Sequence, residues 1–166
     1  VPVDRLWCGT KVLHPQAAAY FWVWQRESPP REHELSYHRF AKLEESDSPA
    51  RRLKHGADHV RFRHPEGEEL SDVASLWRDG FRDLYGQSIF FRASWVGGIT
   101  WATRSEAGFD SEHLHFLEAL TPALTAVIEP LAREMVTGTL LRAYLGRDAG
   151  ERVMSGQVRR GDQQTL

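Results

Sequence analysis

Hydrophobic and polar positions change their spacing several times along the chain, and each change marks an element. The run "AAAYFWVWQR" (17–26) is dense in aromatic residues, follows the turn-forming "HPQ" and ends at "ESPPRE"; it predicts a buried strand. "EHELSYHRF" sets Leu35, Tyr37 and Arg39 against Ser36 and His38, a period of two that predicts an antiparallel partner joined by a Pro-Pro hairpin loop. "SPARRLKHG" offers Ser48 as an N-cap, Pro49 at the first helical position and Gly56 as a stop, and so predicts a short helix. In "SDVASLWRDGF" Ser71 or Asp72 caps a second helix whose stripe is Val73, Leu76 and Trp77. "DLYGQSIFFRA" and "GGITWATR" predict two strands separated by "SWV", with Gly97 and Gly98 serving either a tight turn or a close backbone approach. From Gly108 to Met135 the spacing returns to that of a helix, opened by Asp110 or Ser111 as cap and by Phe109 placed to staple against Leu114. The order strand, strand, helix, helix, strand, strand, long helix predicts an α+β domain, an antiparallel sheet with helices packed on one face.

Two patterns carry more than architecture. In the first strand Tyr20, Trp22 and Trp24 fall on one face and Phe21 and Val23 on the other, so both faces are apolar and neither is simply solvated. One face meets the terminal helices; the other is free to wall a cavity, completed by Ile99 and Trp101 and by Ile89 and Phe91 on the later strands, with Tyr37, Arg39 and Arg92 as polar groups nearby. The bland alternative is a filled core with the same lining. In the long helix Leu117, Leu124, Ile128, Leu131 and Met135 fall near a heptad seam, while Leu120 and Val127 form a neighbouring stripe suited to the sheet. Two apolar faces on one helix predict a second subunit. Pro122 and Pro130 each remove a backbone donor, so a bend or interruption is expected there.

Composition narrows the classes. A chain of 166 residues with 41% hydrophobic content buries the core of one domain and an appended helical arm. The 21 Lys+Arg against 23 Asp+Glu give a formal charge of -2, with no basic excess to bind nucleic acid. One cysteine, Cys8, rules out an internal disulfide framework and fits a reducing, cytoplasmic setting. No apolar run approaches the roughly 20 residues that span a bilayer. Neither a Gly-x-Ser-x-Gly elbow, a P-loop nor a His-Glu-x-x-His pair occurs, so no catalytic residue is assigned. Of the eight histidines, His55 and His59 are separated by the helix-ending Gly56, His113 and His115 diverge on a helix, and His33 and His38 fall on opposite faces of a strand. Haem through a single histidine stays open, and no metal site is assigned.

The run "GGITWATRSEAGFDSEHLHFLEALTPALTAVIE" (97–129) resembles the end of a GAF-type sensory domain, and "HPQAAAYFWVWQRE" with "DGFRDLYGQSIFF" resembles the GAF-like N-terminal region of bacterial class III adenylate/guanylate cyclases. "TLLRAYLGRDAGERVMSGQVRRGD" (139–162) resembles the segment that joins that region to the catalytic domain. The resemblance implies a GAF-like sensory domain over 1–135 and a helical connector over 136–166, leading to a cyclase domain that would use Mg or Mn, turn ATP into cyclic AMP and work as a homodimer. The metal-bearing aspartates of that domain would lie beyond Leu166, so these 166 residues are expected to make no cyclic nucleotide. Phe109-Asp110 imitates a metal-bearing strand end, but with the staple beside it Asp110 reads as a helix N-cap. The function expected is a regulatory module that senses a small effector through Trp22, Trp24, Tyr37, Arg39, Phe91 and Trp101. It would transmit through Leu124, Ile128, Leu131, Leu140, Leu141, Tyr144, Leu145 and Gly146 to its own cyclase domain. Breaks at Gly146 and Gly156 make the connector two short rods with a joint, too short to be ordered without a partner, and 153–166 should depend on the catalytic domain for order. The alternatives are a constitutive dimerisation scaffold that senses nothing, and a haem or metal sensor.

Overall fold

A computed structural model describes residues 1–12, 19–45, 48–64, 71–91 and 94–157. Six strands, β1 (Arg5–Lys11), β2 (Ala19–Gln25), β3 (Ser28–Leu35), β4 (His59–Arg63), β5 (Asp83–Phe91) and β6 (Ser94–Thr103), form one sheet in the order β3-β2-β1-β6-β5-β4. All the described pairings are antiparallel. Five helices accompany them: α1 (Tyr37–Glu45), α2 (Pro49–Lys54), α3 (Ser71–Arg78), α4 (Ser111–Leu145) and α5 (Arg147–Met154).

The α+β class, the antiparallel sheet and the long C-terminal helix are as the sequence predicts, but the helices divide between both faces. Paired residues Leu84 and Ala102 belong to a core with Leu53 of α2 and with Val73 and Leu76 of α3. Their neighbours Tyr85 and Trp101, also paired, belong to a second core with Leu117, Leu120, Leu124 and Ile128 of α4. Successive strand residues point to opposite faces, so α2 and α3 cover one side of the sheet and α4 the other. The strands carry apolar residues in both directions, and each face therefore needs its own cover.

Local chemistry explains where the pattern slipped. Pro29 and Pro30 lie inside β3 rather than in the hairpin loop; β3 is an edge strand, where a missing N–H leaves no ladder bond broken on its open side. The turn falls instead at Arg26-Glu27, with Glu27 at φ 67°. Tyr37 to Phe40, expected in the strand, open α1: the Ser36 hydroxyl accepts from the Arg39 N–H at 3.5 Å and the Ser36 carbonyl from the Phe40 N–H at 2.9 Å. The strands β1 and β4 were not anticipated. Both are short, and each alternates quietly, with Leu6 and Cys8 in one and Val60 and Phe62 in the other.

Capping follows the sequence more closely. Ser48 Oγ accepts from the Arg51 N–H at 3.2 Å, with Pro49 at the start of α2. Asp110 accepts from the His113 N–H at 2.8 Å, His113 Nδ1 faces the Asp110 N–H at 3.3 Å, and Phe109 and Leu114 join the same core. Asp110 is thus a helix cap. α4 runs through Pro122 and Pro130 without interruption; burial of Leu117, Leu120, Leu124 and Ile128 on the sheet offsets the roughly 3 kcal/mol that each interior proline costs. The first rod of the expected connector is therefore the end of a 35-residue helix, about 52 Å long. Gly146, at φ 84°, reverses the chain, and α5 folds back along α4.

Candidate functional site

Between the sheet and helices α1 to α3 lies a cavity of about 450 Å³, within the range of small-molecule sites. Its floor is one face of β1, β2 and β6. Trp7 and Phe21 line it with ring centroids 5.8 Å apart, and His33 stacks on Phe21 from behind at 4.9 Å. Gly9 and its partner Gly98 keep the floor low. A Cβ on Gly9 would meet the Trp7 indole at 2.3 Å, and one on Gly98 would meet Leu53 of α2 at 3.0 Å. The roof comes from Phe40 of α1, from Leu53 of α2, and from Val73 and Leu76 of α3.

The charged groups of the described lining are of one kind. Arg5 and Lys11 from the two ends of β1, and Arg51 and Lys54 one turn apart on α2, all line the cavity. Burial pulls the Arg5 pKa below its ordinary value, against a smaller opposing pull from Asp79. The Lys11 ammonium lies 5.9 Å from the Phe40 ring centroid, and Arg51 donates to the Glu45 backbone carbonyl at 3.0 Å. Among the described residues no Asp, Glu, Asn, Gln or His lines the cavity.

The other face of the same strands is bonded to α4. The Tyr85 hydroxyl donates to Glu118 at 2.7 Å, and the Thr121 hydroxyl to Gln87 at 2.6 Å. Burial, then the Glu118 carboxylate, push the Tyr85 pKa up. At the helix N-terminus, Asp83 is fully buried and accepts from Arg61 at 2.7 and 3.2 Å and from the Phe109 N–H at 2.9 Å, while Arg61 also donates to the Phe109 carbonyl. Gly108, at φ 68°, passes so close that a Cβ there would sit 2.5 Å from Asp83 Oδ2. Leu84, Gly98 and Thr100 line the cavity, while Tyr85, Ile99 and Trp101 pack with α4. The wall between cavity and helix is one strand thick.

The sequence separated the two faces of β2 correctly and then placed the cavity on the wrong one. Trp22, Phe91 and Trp101 pack in the α4 core, and the buried Trp101 indole N–H has no partner among the described residues. Trp24 continues that face to an exposed end, and Tyr37 and Arg39 are exposed on α1. None of these six lines the cavity. Arg92 lies outside the described residues, as do the side chains of Ser71 and Asp72 and the whole of 158–166. The lining residues Trp7, Lys11, Phe40 and Arg51 had one legible signal, the glycines at 97 and 98: they mark a close approach, since a Cβ on Gly97 would sit 1.9 Å from the Gly9 carbonyl oxygen.

On α4 the seam also differs from the heptad reading. Leu124 and Ile128 face the sheet, whereas Val127, expected there, is 59% exposed and Leu131 49%. The backbone at Leu141 and Arg142 receives α5: a Cβ on Gly150 would come within 2.9 Å of the Arg142 nitrogen. Leu140 is half-buried, and Tyr144 and Leu145 are exposed beside Gly146.

The architecture is similar to that of the GAF domain of a two-component sensor histidine kinase from Bacillus halodurans, with a TM-score of 0.50 and 14% identity over 79% of this chain and 84% of that one. The fold is accordingly GAF-like. No family model and no curated protein matches the sequence. Among the described residues no helix is long and apolar enough to cross a membrane, and no group of three or more His, Cys, Asp or Glu side chains is placed to hold a metal ion.

Proposed function

We propose that this chain is a regulatory sensor module in which occupancy of the cavity is passed through the sheet to α4 and on through the Gly146 joint to a class III nucleotide cyclase domain. The observation that carries the reading is the shared wall: neighbouring residues of β5 and β6 line the cavity on one side and grip α4 on the other. A ligand that shifts Leu84 or Thr100 shifts Tyr85 and Trp101 with them. The cavity favours a sensor over a scaffold with a filled core. The cyclase as output rests on the resemblance of 139–162 to the cyclase connector. The division into a sensory domain over 1–135 and a connector over 136–166 becomes a functional boundary, since α4 crosses it unbroken.

Two copies joined along α4 complete the proposal. Phe116, Val127 and Leu131 are apolar and exposed on α4, and Tyr144 and Leu145 extend the exposed apolar surface to the joint. A signal that rotates or shifts α4 in such a dimer reaches both catalytic domains at once. The testing variant is Gly146→Pro in a chain carrying the cyclase domain. Gly146 sits at φ 84°, which proline cannot adopt, so the joint must be rebuilt while the sheet domain keeps its melting temperature. Cyclase activity that no longer responds to the effector supports the reading; unchanged activity and unchanged regulation would show that the signal does not pass this joint.

A further inference from the structure

The cavity's charge is one-sided. Four cations line it, and among the described residues no carboxylate does. Two of the four have only neutral partners within the described residues: Lys11 the ring of Phe40, and Arg51 the carbonyl of Glu45. Both partners belong to α1, which places Lys11 and Arg51 on the α1 side of the cavity. Apart from the hydroxyls of Thr10, Tyr20, Ser48, Ser75 and Thr100, the rest of the described lining, Trp7, Phe21, Leu53, Val73 and Leu76 among it, is mainly apolar. Exposed cations at the rim of a largely apolar space favour an anion that brings an apolar body with it, because the head pairs with the cations while the body leaves water. A nucleobase is a poorer match. Its ring N–H and amino groups are best met by carboxylate or amide acceptors, and the described side chains of the lining offer them only hydroxyls.

Building on the sensor reading above, we infer that the effector is an amphipathic anion, a flat apolar ring system lying against the Trp7–Phe21 pair and Phe40 with a single carboxylate or phosphate head held by Lys11 and Arg51. The volume of about 450 Å³ accommodates a two-ring body with its head.

The test uses calorimetric titration of the whole chain with 2-naphthoate, 2-naphthyl phosphate, the neutral 2-naphthamide and 3′,5′-cyclic AMP, repeated on Lys11→Gln, Arg51→Gln and Trp7→Phe. The expected result is that one or both naphthyl anions bind at least tenfold tighter than the amide. The tighter of the two then identifies the head group. Lys11→Gln and Arg51→Gln together should reduce that preference to less than threefold and leave amide binding as it was, and Trp7→Phe should diminish the tryptophan fluorescence change on binding, the remainder coming from Trp101. Lys11 is exposed and Arg51 sits on the surface of α2, so neither change threatens folding, and an unchanged melting temperature confirms it. Equal binding of acid and amide overturns the anion inference while leaving the ligand-binding cavity intact. Tighter binding of cyclic AMP than of either naphthyl anion overturns the chemical class. If nothing binds, the inference and the sensor reading fall together.

Discussion

Asp83 shows how much a single side chain can hold. It is fully buried, and its two oxygens take hydrogen bonds from Arg61 and from the backbone just before the α4 cap; the hydrogen bond that Arg61 donates to Asp83 is the main reason that the guanidinium has its pKa raised further. Asp83→Ala leaves Arg61 facing an empty partner and frees the Phe109 N–H, so urea unfolding should show a loss of about 3–5 kcal/mol, the range for breaking a buried pair. Asp83→Asn, which keeps the shape and one acceptor, should lose less. Cys8 makes a second check. It is buried under α4, and burial pushes its thiol pKa up to about 12. Native protein at pH 8 should therefore resist thiol reagents that label it at once in denaturant. The linkage has a definite sign: the unfolded thiol ionises from about 8.5 upward and the folded one does not. Its contribution to stability is fully present below that value and is lost as pH climbs towards 12. Rapid native labelling at pH 8 would contradict the burial of β1.

α4 carries two faces with different duties, and charge substitutions tell them apart. Leu124 packs in the core with Trp101 and Leu117, so Leu124→Glu should unfold or severely destabilise the domain itself, by several kcal/mol. Val127 and Leu131 are exposed; Val127→Glu and Leu131→Glu should leave the monomer's stability within about 0.5 kcal/mol and, in the proposed dimer, turn it to monomer in light scattering. Wild type that is already monomeric at tens of micromolar would remove the dimer from the account. The hairpin of α4 and α5 depends on Gly150, whose missing side chain lets the two helix backbones touch. Gly150→Ala should lift α5 away, raising amide exchange over 147–154 with no change in the sheet. At this scale the sequence read well wherever a cap or a stop residue is decisive, as at Ser48, Asp110 and Gly146. It read poorly where tertiary pairing overrides local pattern. Nothing in "SPPREHEL" announces that an edge strand will tolerate two prolines, and the alternation of Tyr37 and Arg39 yields to a helix opened by Ser36.

For the molecule as a whole, the sheet is a partition with a cavity on one side and the long helix α4 on the other. The GAF-like class was legible through the resemblance carried by 97–129, where the last strand, Phe109 and the Asp110 cap lie close together in sequence, while β1 and β4 were not legible. The site was not, because which face of β2 meets α4 is decided by residues far away in the chain: Cys8 opposite Trp22 and Ile99 opposite Cys8 set the α4 side, while Gly9 opposite Phe21 sets the cavity side. A single strand's pattern shows two apolar faces and cannot say which is filled. The shared wall also fixes what a sensor must do here, which is to alter α4 from the far side of β5 and β6. Hydrogen exchange of the whole chain, with and without saturating 2-naphthoate, measures this directly. The account predicts slower exchange both in the cavity elements β1 and α2 and across the partition, in the first three turns of α4 from Ser111 to Thr121. Protection confined to β1 and α2, with α4 unchanged, would show that the cavity binds without signalling and would contradict the central claim.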